Sequence, residues 1–180
     1  ADGGDVDIRG GKSSSVAGMG GEVRLTGGHA AVGTGGSVEI RSGSSASTDS
    51  GNVTVLTGET RRGEGASGSL VMGTGQSQGG HSGNVTIRSG DAAQEVGAIS
   101  LISGRSTQSS GGDIVVGGGA SAQKSGGSVS ITTGRGGESS PSGDLTLRTA
   151  SASEASTGMS GSVDLRSGDA SQGNSGSVTV

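Results

Sequence analysis

The chain reads Gly36-Ser37-Val38-Glu39-Ile40-Arg41-Ser42-Gly43 in its third repeat, and variants of this octet recur along all 180 residues. The first glycine of each octet is numbered position 0 here. It falls at Gly4, Gly21, Gly36, Gly51, Gly68, Gly83, Gly97, Gly112, Gly127, Gly143, Gly161 and Gly176. A repeat this short cannot bury its own apolar face, so the period predicts repeats that stack on one another.

Each octet carries aliphatic residues at positions +2 and +4. Position +2 holds Val6, Val23, Val38, Val53, Leu70, Val85, Ile99, Ile114, Val129, Leu145, Val163 and Val178. Position +4 holds Ile8, Leu25, Ile40, Val55, Met72, Ile87, Leu101, Val116, Ile131, Leu147, Leu165 and Val180. We call these side chains the ladder. Alternation with a period of two is typical of a strand, so the ladder is predicted to point inward.

The residues after the ladder are small. Position +7 is glycine in every repeat that reaches it except at Ala150, which predicts a corner with a positive φ or a close backbone approach. Positions +6 and +9 hold Ser, Thr, Ala or Gly. We interpret +9 as the inward residue of a second, poorer wall. Extra residues fall between +10 and the next glycine, so this segment is predicted to be the loop that tolerates insertions.

These patterns predict an all-β fold, a single parallel β-solenoid of about 12 coils with ~15 residues in each. Its thin core would place the Val/Ile/Leu ladder on one wall and Ala, Ser and Gly on the other. One continuous solenoid is expected over residues 1–180, without a linker or obvious caps. Alternating charges at +3, on Asp7, Arg24 and Glu39, would touch between stacked coils and support the register.

Composition excludes several classes of protein. There are no cysteines and no aromatic residues, so disulfides, thiolate metal sites and base-stacking surfaces are absent. The net charge of −4 is dispersed and offers no basic field for nucleic acid. No apolar run is long enough to span a membrane, and no leader is visible. Val, Ile and Leu are as scarce as in disordered chains, but their sorting onto the ladder argues against disorder.

No catalytic, cofactor-binding or metal-ligating residue is predicted, and the chain is not expected to be an enzyme. His29 and His81 stand at unrelated repeat positions, and acidic residues rarely share a position on successive repeats. Asn52 and Asn84 begin glycosylation sequons, but both lie inside predicted strands. The favoured alternative is that asparagine replaces the Ser or Asp found at +1 elsewhere.

The outer surface and the two ends carry the candidate interfaces. Four aliphatic residues off the ladder occupy +3 or +5, and they form the candidate lateral interface: Leu56, Val71, Ile102 and Val115. Neither end looks capped, so end-to-end stacking is expected to join Gly4, Val6 and Ile8 to another copy's C-terminal positions. The residues expected there are Gly176, Val178 and Val180.

Two functions follow as hypotheses. The first is a non-enzymatic structural protein that associates with itself or with other proteins of the same assembly, end to end or laterally. Its setting would be an extracellular filament, surface fibre or wall-like assembly. The alternative is an ice-binding protein, which thermal hysteresis would reveal. Its surface would be the uncharged outward row of Thr54, Val71, Thr86, Ser100, Val115, Ser130 and Thr146.

The repeat Gly-Ser-Val-x-Ile-x-Ser-Gly-x-Ala, seen at Gly36–Ala46 and Gly161–Ala170, resembles Gly/Ser-rich solenoid arrays. Such arrays occur in large surface or extracellular proteins of algae and related protists. The repeat is also similar to the β-roll heads of trimeric autotransporter adhesins, which repeat Ser-Val-Ala-Ile-Gly. Either resemblance implies an extracellular or cell-surface scaffold or adhesive fibre without cofactors.

Overall fold

The computed structural model describes residues 3–61, 65–152 and 157–180, in two units, Ala1–Arg88 and Ser89–Val180. These residues form no helix and no β-strand, and none of them is buried. The chain consists of extended segments joined by short loops. The prediction of an all-β parallel β-solenoid with a thin two-walled core is therefore wrong.

Backbone hydrogen bonding explains why no solenoid forms. A parallel stack needs bonds between residues one repeat apart, about 15 positions along the chain. The backbone–backbone bonds of the described residues instead join positions 3 to 10 apart, from Gly18–Ser15 to Gly21–Gly11. They are seven in number, whereas a folded chain forms roughly two backbone–backbone hydrogen bonds for every three residues. Extended segments without hydrogen bonds between neighbouring repeats are not β-strands.

The accessible surface is correspondingly large. The chain exposes 18341 Å², whereas a folded monomer of 16.8 kDa exposes roughly 7,700 Å². Glycine raises the entropic cost of ordering, and Val, Ile and Leu are too few to offset it within one chain. The extended form is the consequence.

Local order exists at five junctions between repeats, where a backbone hydrogen bond closes the loop that leads to the next repeat. The N–H of a position-0 glycine donates to the carbonyl oxygen at +7 of the preceding repeat. Five such bonds have N···O distances of 2.7–3.0 Å: Gly21–Gly11, Gly36–Gly28, Gly51–Gly43, Gly127–Gly119 and Gly143–Gly134. Each of these five repeats is thus an extended segment followed by a loop that a backbone hydrogen bond closes, which we call a tied loop.

The chain bends inside the loops between extended segments. Bends and turns begin at +10 or +11, in the segment where insertions accumulate in the sequence. They lie at 15–17, 31–33, 46–48, 78–80, 93–94, 107–109, 122–124, 138–140 and 171–173. Gly33, inside one of them, is the described glycine with a left-handed φ, 111°.

The close backbone approach falls at positions 0 and +6 rather than at +7. A Cβ at Gly36 would lie 2.8 Å from the backbone nitrogen of Gly28, and one at Gly27 would overlap the carbonyl oxygen of Gly36. A Cβ at Gly28, which is at +7, would meet nothing within 4 Å. The interpretation of +7 as the crowded or positive-φ corner is therefore wrong. Glycine is needed at Gly21 and Gly36 because a Cβ there would lie 2.7–2.8 Å from a backbone nitrogen of the preceding octet, whereas a Cβ at Gly97 would meet nothing within 4 Å.

The ladder is the less exposed edge of each extended segment. From Val23 to Val178, the +2 side chains are 48–58% exposed, and from Ile8 to Leu165 the +4 side chains are 60–75% exposed. Aliphatic residues off the ladder are 84–108% exposed, with Val96 at 50% as the exception. The alternation therefore sorts the side chains, but nothing in the described part of the chain covers the ladder.

The nine least exposed of the described residues all stand at +6 or +9. They are Gly27, Ser89, Ser103, Thr133, Thr149 and Ser167 at +6, and Ser13, Ala30 and Gly136 at +9. These positions lie just before and just after +7, where each loop begins. They are half-buried, and the described residues form no second wall that faces the ladder.

Ion pairs lie within single segments rather than between repeats. Every ion pair of the described residues joins side chains two positions apart: Arg9–Asp7, Arg24–Glu22, Arg41–Glu39, Arg61–Glu59 and Arg166–Asp164. Residues i and i+2 share one side of an extended backbone, which explains the spacing. Arg24 thus pairs with Glu22 rather than with an acid of a neighbouring repeat, and the charges do not set a register between repeats.

Candidate interaction surface

Two extended segments of the second unit enclose an open groove of about 380 Å³. Its lining residues come from Leu101–Ser103 and from the run Asp113–Val116. Five of these seven side chains are aliphatic, and they are 56–89% exposed. The groove is an apolar surface open to solvent.

The groove combines ladder residues with residues off the ladder. Ile102 and Val115, two members of the candidate lateral interface, both line it. Leu56 and Val71, the other two, belong to the first unit, are 84% and 86% exposed, and do not line it. The structure therefore brings together one pair of the four.

Sequence reasoning assigned Leu101, Ile114 and Val116 to an inner core and missed their place in a groove. A signal was present in the two runs Leu101-Ile102 and Ile114-Val115-Val116. Such runs break the alternation, so aliphatic side chains appear on both sides of the segment. A groove between the two runs is consequently apolar, because either side of each segment presents aliphatic side chains to it.

The groove also has one charged side chain, Asp113, and unpaired backbone groups. Asp113 forms no ion pair within the described chain. The peptide groups of Leu101–Ser103 and Asp113–Val116 likewise make no hydrogen bond to a described residue. Free N–H and C=O groups on extended backbone are able to pair with another extended segment.

Serine at +9 has a role that the sequence interpretation missed. Its Oγ accepts a hydrogen bond from the N–H three residues later, with N···O distances of 2.9–3.1 Å. The pairs are Ser45–Thr48, Ser77–Gly80, Ser106–Ser109 and Ser121–Lys124. This local bond, typical of Ser and Thr in turns, favours the loop's reversal. This role could have been inferred from the sequence, because serine at +9 stands just before the segment that tolerates insertions.

We expect Ser121→Ala to free the amide of Lys124 and leave the rest of the chain unchanged. Losing one exposed hydrogen bond, worth about 0.5–1.5 kcal/mol, should speed hydrogen exchange at that amide by roughly two- to tenfold. Exchange measured by NMR tests this, with Ser125→Ala in the same loop as the control. Equal exchange rates at the Lys124 amide in the two variants would show that the Ser121 hydroxyl does not stabilise the loop.

The remaining sequence-predicted positions are all exposed. Asn52 and Asn84 stand at +1 of extended segments. Of the proposed end positions, Val6 is 89% and Val180 116% exposed. The row from Thr54 to Thr146 proposed for ice is exposed at every position. A second concavity, of about 360 Å³, lies along Arg148–Ser151, where Ala150 replaces the usual +7 glycine.

Side chains able to bind a metal ion do not cluster within the described ranges. There, no three of His, Cys, Asp and Glu lie close enough together to hold a metal ion. His29 and His81 are exposed. A search of these ranges for a long apolar helix able to cross a membrane finds none.

Comparison of the chain with protein-family models, with curated proteins and with solved structures finds no match in any of the three. The two resemblances drawn from the repeat therefore stay predictions.

Proposed function

We propose that this chain is a non-enzymatic structural protein whose repeats associate with further copies of the chain in an extracellular filament, surface fibre or wall-like assembly. One observation carries the proposal. The ladder recurs at +2 and +4 of every repeat and is sorted to one edge of each extended segment, yet it stays about half exposed or more. An ordered apolar edge that its own chain leaves uncovered calls for an outside partner.

The size of the uncovered surface favours many contacts over one. The chain exposes roughly 10,000 Å² more than a folded monomer of its mass would, whereas a standard interface buries about 800 Å² on each partner. A single dimer contact would leave most of this excess exposed. Twelve similar segments give twelve sites of similar chemistry, and linked weak sites strengthen one another by avidity.

A second copy is the simplest partner because it carries the same segments. Extended segments pair through backbone groups while their alternate side chains pack together, as in recognition by strand addition. Few of the described backbone groups are satisfied within the chain, so such pairing would supply what the single chain lacks. The extracellular setting rests on the resemblance of the repeat to surface arrays.

Sedimentation velocity of the full chain over a wide range of concentrations tests the proposal. We expect the mean sedimentation coefficient to rise with concentration, and far-UV circular dichroism to gain β signal in parallel. The signal should be reversed by dilution if contacts are individually weak. A chain that sediments as a monomer at every concentration, with an unchanged spectrum, would refute self-association.

A further inference from the structure

We propose that the groove between Leu101–Ser103 and Asp113–Val116 docks the segment Asn84–Arg88 of a second copy of this chain. The inference rests on the proposed function and names one contact within it. Its starting point is the groove itself, which combines apolar walls, unpaired backbone and a single charged side chain, Asp113. A matching occupant is extended, aliphatic at alternate positions, and basic.

Charge selects one segment of the chain. Over positions +1 to +5, the twelve repeats carry net charges of −1, 0 or +1, and Asn84-Val85-Thr86-Ile87-Arg88 alone carries +1. The groove segment beginning at Asp113 carries −1, a value shared only with Asp5–Arg9. Opposite charges on the two surfaces favour this pairing over one between identical segments.

The absence of an ion pair at Arg88 within its own segment also favours docking at Asp113. In the repeats starting at Gly4, Gly36 and Gly161, arginine at +5 is held by an acid at +3 of its own segment. Arg88 has Thr86 at that place and forms no ion pair within the described chain. Arg88 and Asp113 are thus both free to pair with each other between copies.

The apolar part of the fit follows from alternation. Val85 and Ile87 are 58% and 65% exposed and share one side of their segment. Laid along the groove, that side meets Ile102 and Val115, which are 86% and 89% exposed. Backbone pairing and burial of these four side chains would supply affinity, and the Arg88–Asp113 pair would select the register.

A labelled peptide of residues 83–90, titrated with the full chain and followed by fluorescence anisotropy, tests the proposal. We expect saturable binding that weakens at least tenfold in the double variant I102S/V115S. The matched control is L56S/V71S, which removes equally exposed aliphatics from the same +5 and +3 positions outside the groove. The control should change affinity less than twofold. Equal weakening by both double variants would overturn the proposal, because it would indicate general apolar adhesion.

A charge exchange tests the register. An exposed ion pair changes affinity by up to about fivefold, so Asp113→Asn should weaken peptide binding by two- to fivefold and reduce its dependence on salt. A peptide carrying Arg88→Glu should bind the parent chain more weakly and recover its affinity on the Asp113→Arg variant. Failure to recover would overturn the pairing of Arg88 with Asp113.

The sedimentation experiment separates this inference from the proposed function. If I102S/V115S self-associates as strongly as the parent chain, the groove contact is wrong while assembly stands. If the parent chain associates no further than a dimer, and I102S/V115S abolishes that dimer, the extended assembly is wrong while the docking site stands.

Discussion

Replacing Gly27 by alanine is expected to open the loop between Gly28 and Gly36. The added Cβ would overlap the carbonyl oxygen of Gly36, whose own N–H donates to the carbonyl of Gly28 at 2.8 Å. Because the overlapping oxygen belongs to the backbone, the whole loop must move to relieve it. We expect hydrogen exchange at the Gly36 amide to become roughly tenfold faster, because this amide loses its hydrogen bond when the turn is displaced.

Gly28→Ala is the matched control. A Cβ there meets nothing within 4 Å, yet the substitution reduces the freedom of the unfolded chain as Gly27→Ala does. The difference in exchange between the two variants therefore isolates the steric overlap. Gly118→Ala and Gly119→Ala repeat the comparison in the second unit, where Gly118 approaches Gly127 in the same way. Equal exchange in both pairs would contradict the tied-loop geometry.

The double substitution Val129→Asp and Ile131→Asp is expected to weaken self-association by about a hundredfold or more. These ladder side chains are 53% and 67% exposed in the single chain, so charging them costs the monomer little. In an assembly they would be covered, and each buried aliphatic side chain contributes about 1.5–3 kcal/mol. The concentration at which sedimentation begins to rise measures the loss.

Ser128→Asp with Ser130→Asp is the control for charge. It adds the same two carboxylates to the same segment, but at positions that alternate with the ladder. We expect it to weaken association far less than the ladder variant does. If the two double variants behave alike, net charge rather than the ladder governs association, and the proposed role of the ladder is refuted.

Parts of the local structure could be predicted from the sequence because they depend on neighbouring residues. Alternation correctly separates Val129 and Ile131 from the more exposed Ile102 and Val115. The segment of variable length contains the bends, such as the one at 122–124. Pairs such as Asp164–Arg166 form because an extended backbone places side chains two apart on one side.

The absence of a solenoid could not be predicted from the sequence, because forming a solenoid depends on hydrogen bonds between residues a full repeat apart. Periodicity shows which side chains belong together, but it does not show that the chain gains enough free energy to bring repeats into register. The crowding at Gly27 and Gly36 was likewise misplaced to +7, since it arises where two repeats meet in space.

The amino-acid sequence by itself determined the repeat, the ladder and the places where the chain turns, since each follows from side-chain size and alternation over a few residues. Only the tertiary structure decided that the ladder stays uncovered, that Ser121 closes a loop rather than lining a wall, and that Ile102 and Val115 share a groove. The physical reason is that burial and pairing depend on which distant segments approach one another, and a local pattern constrains that approach only weakly.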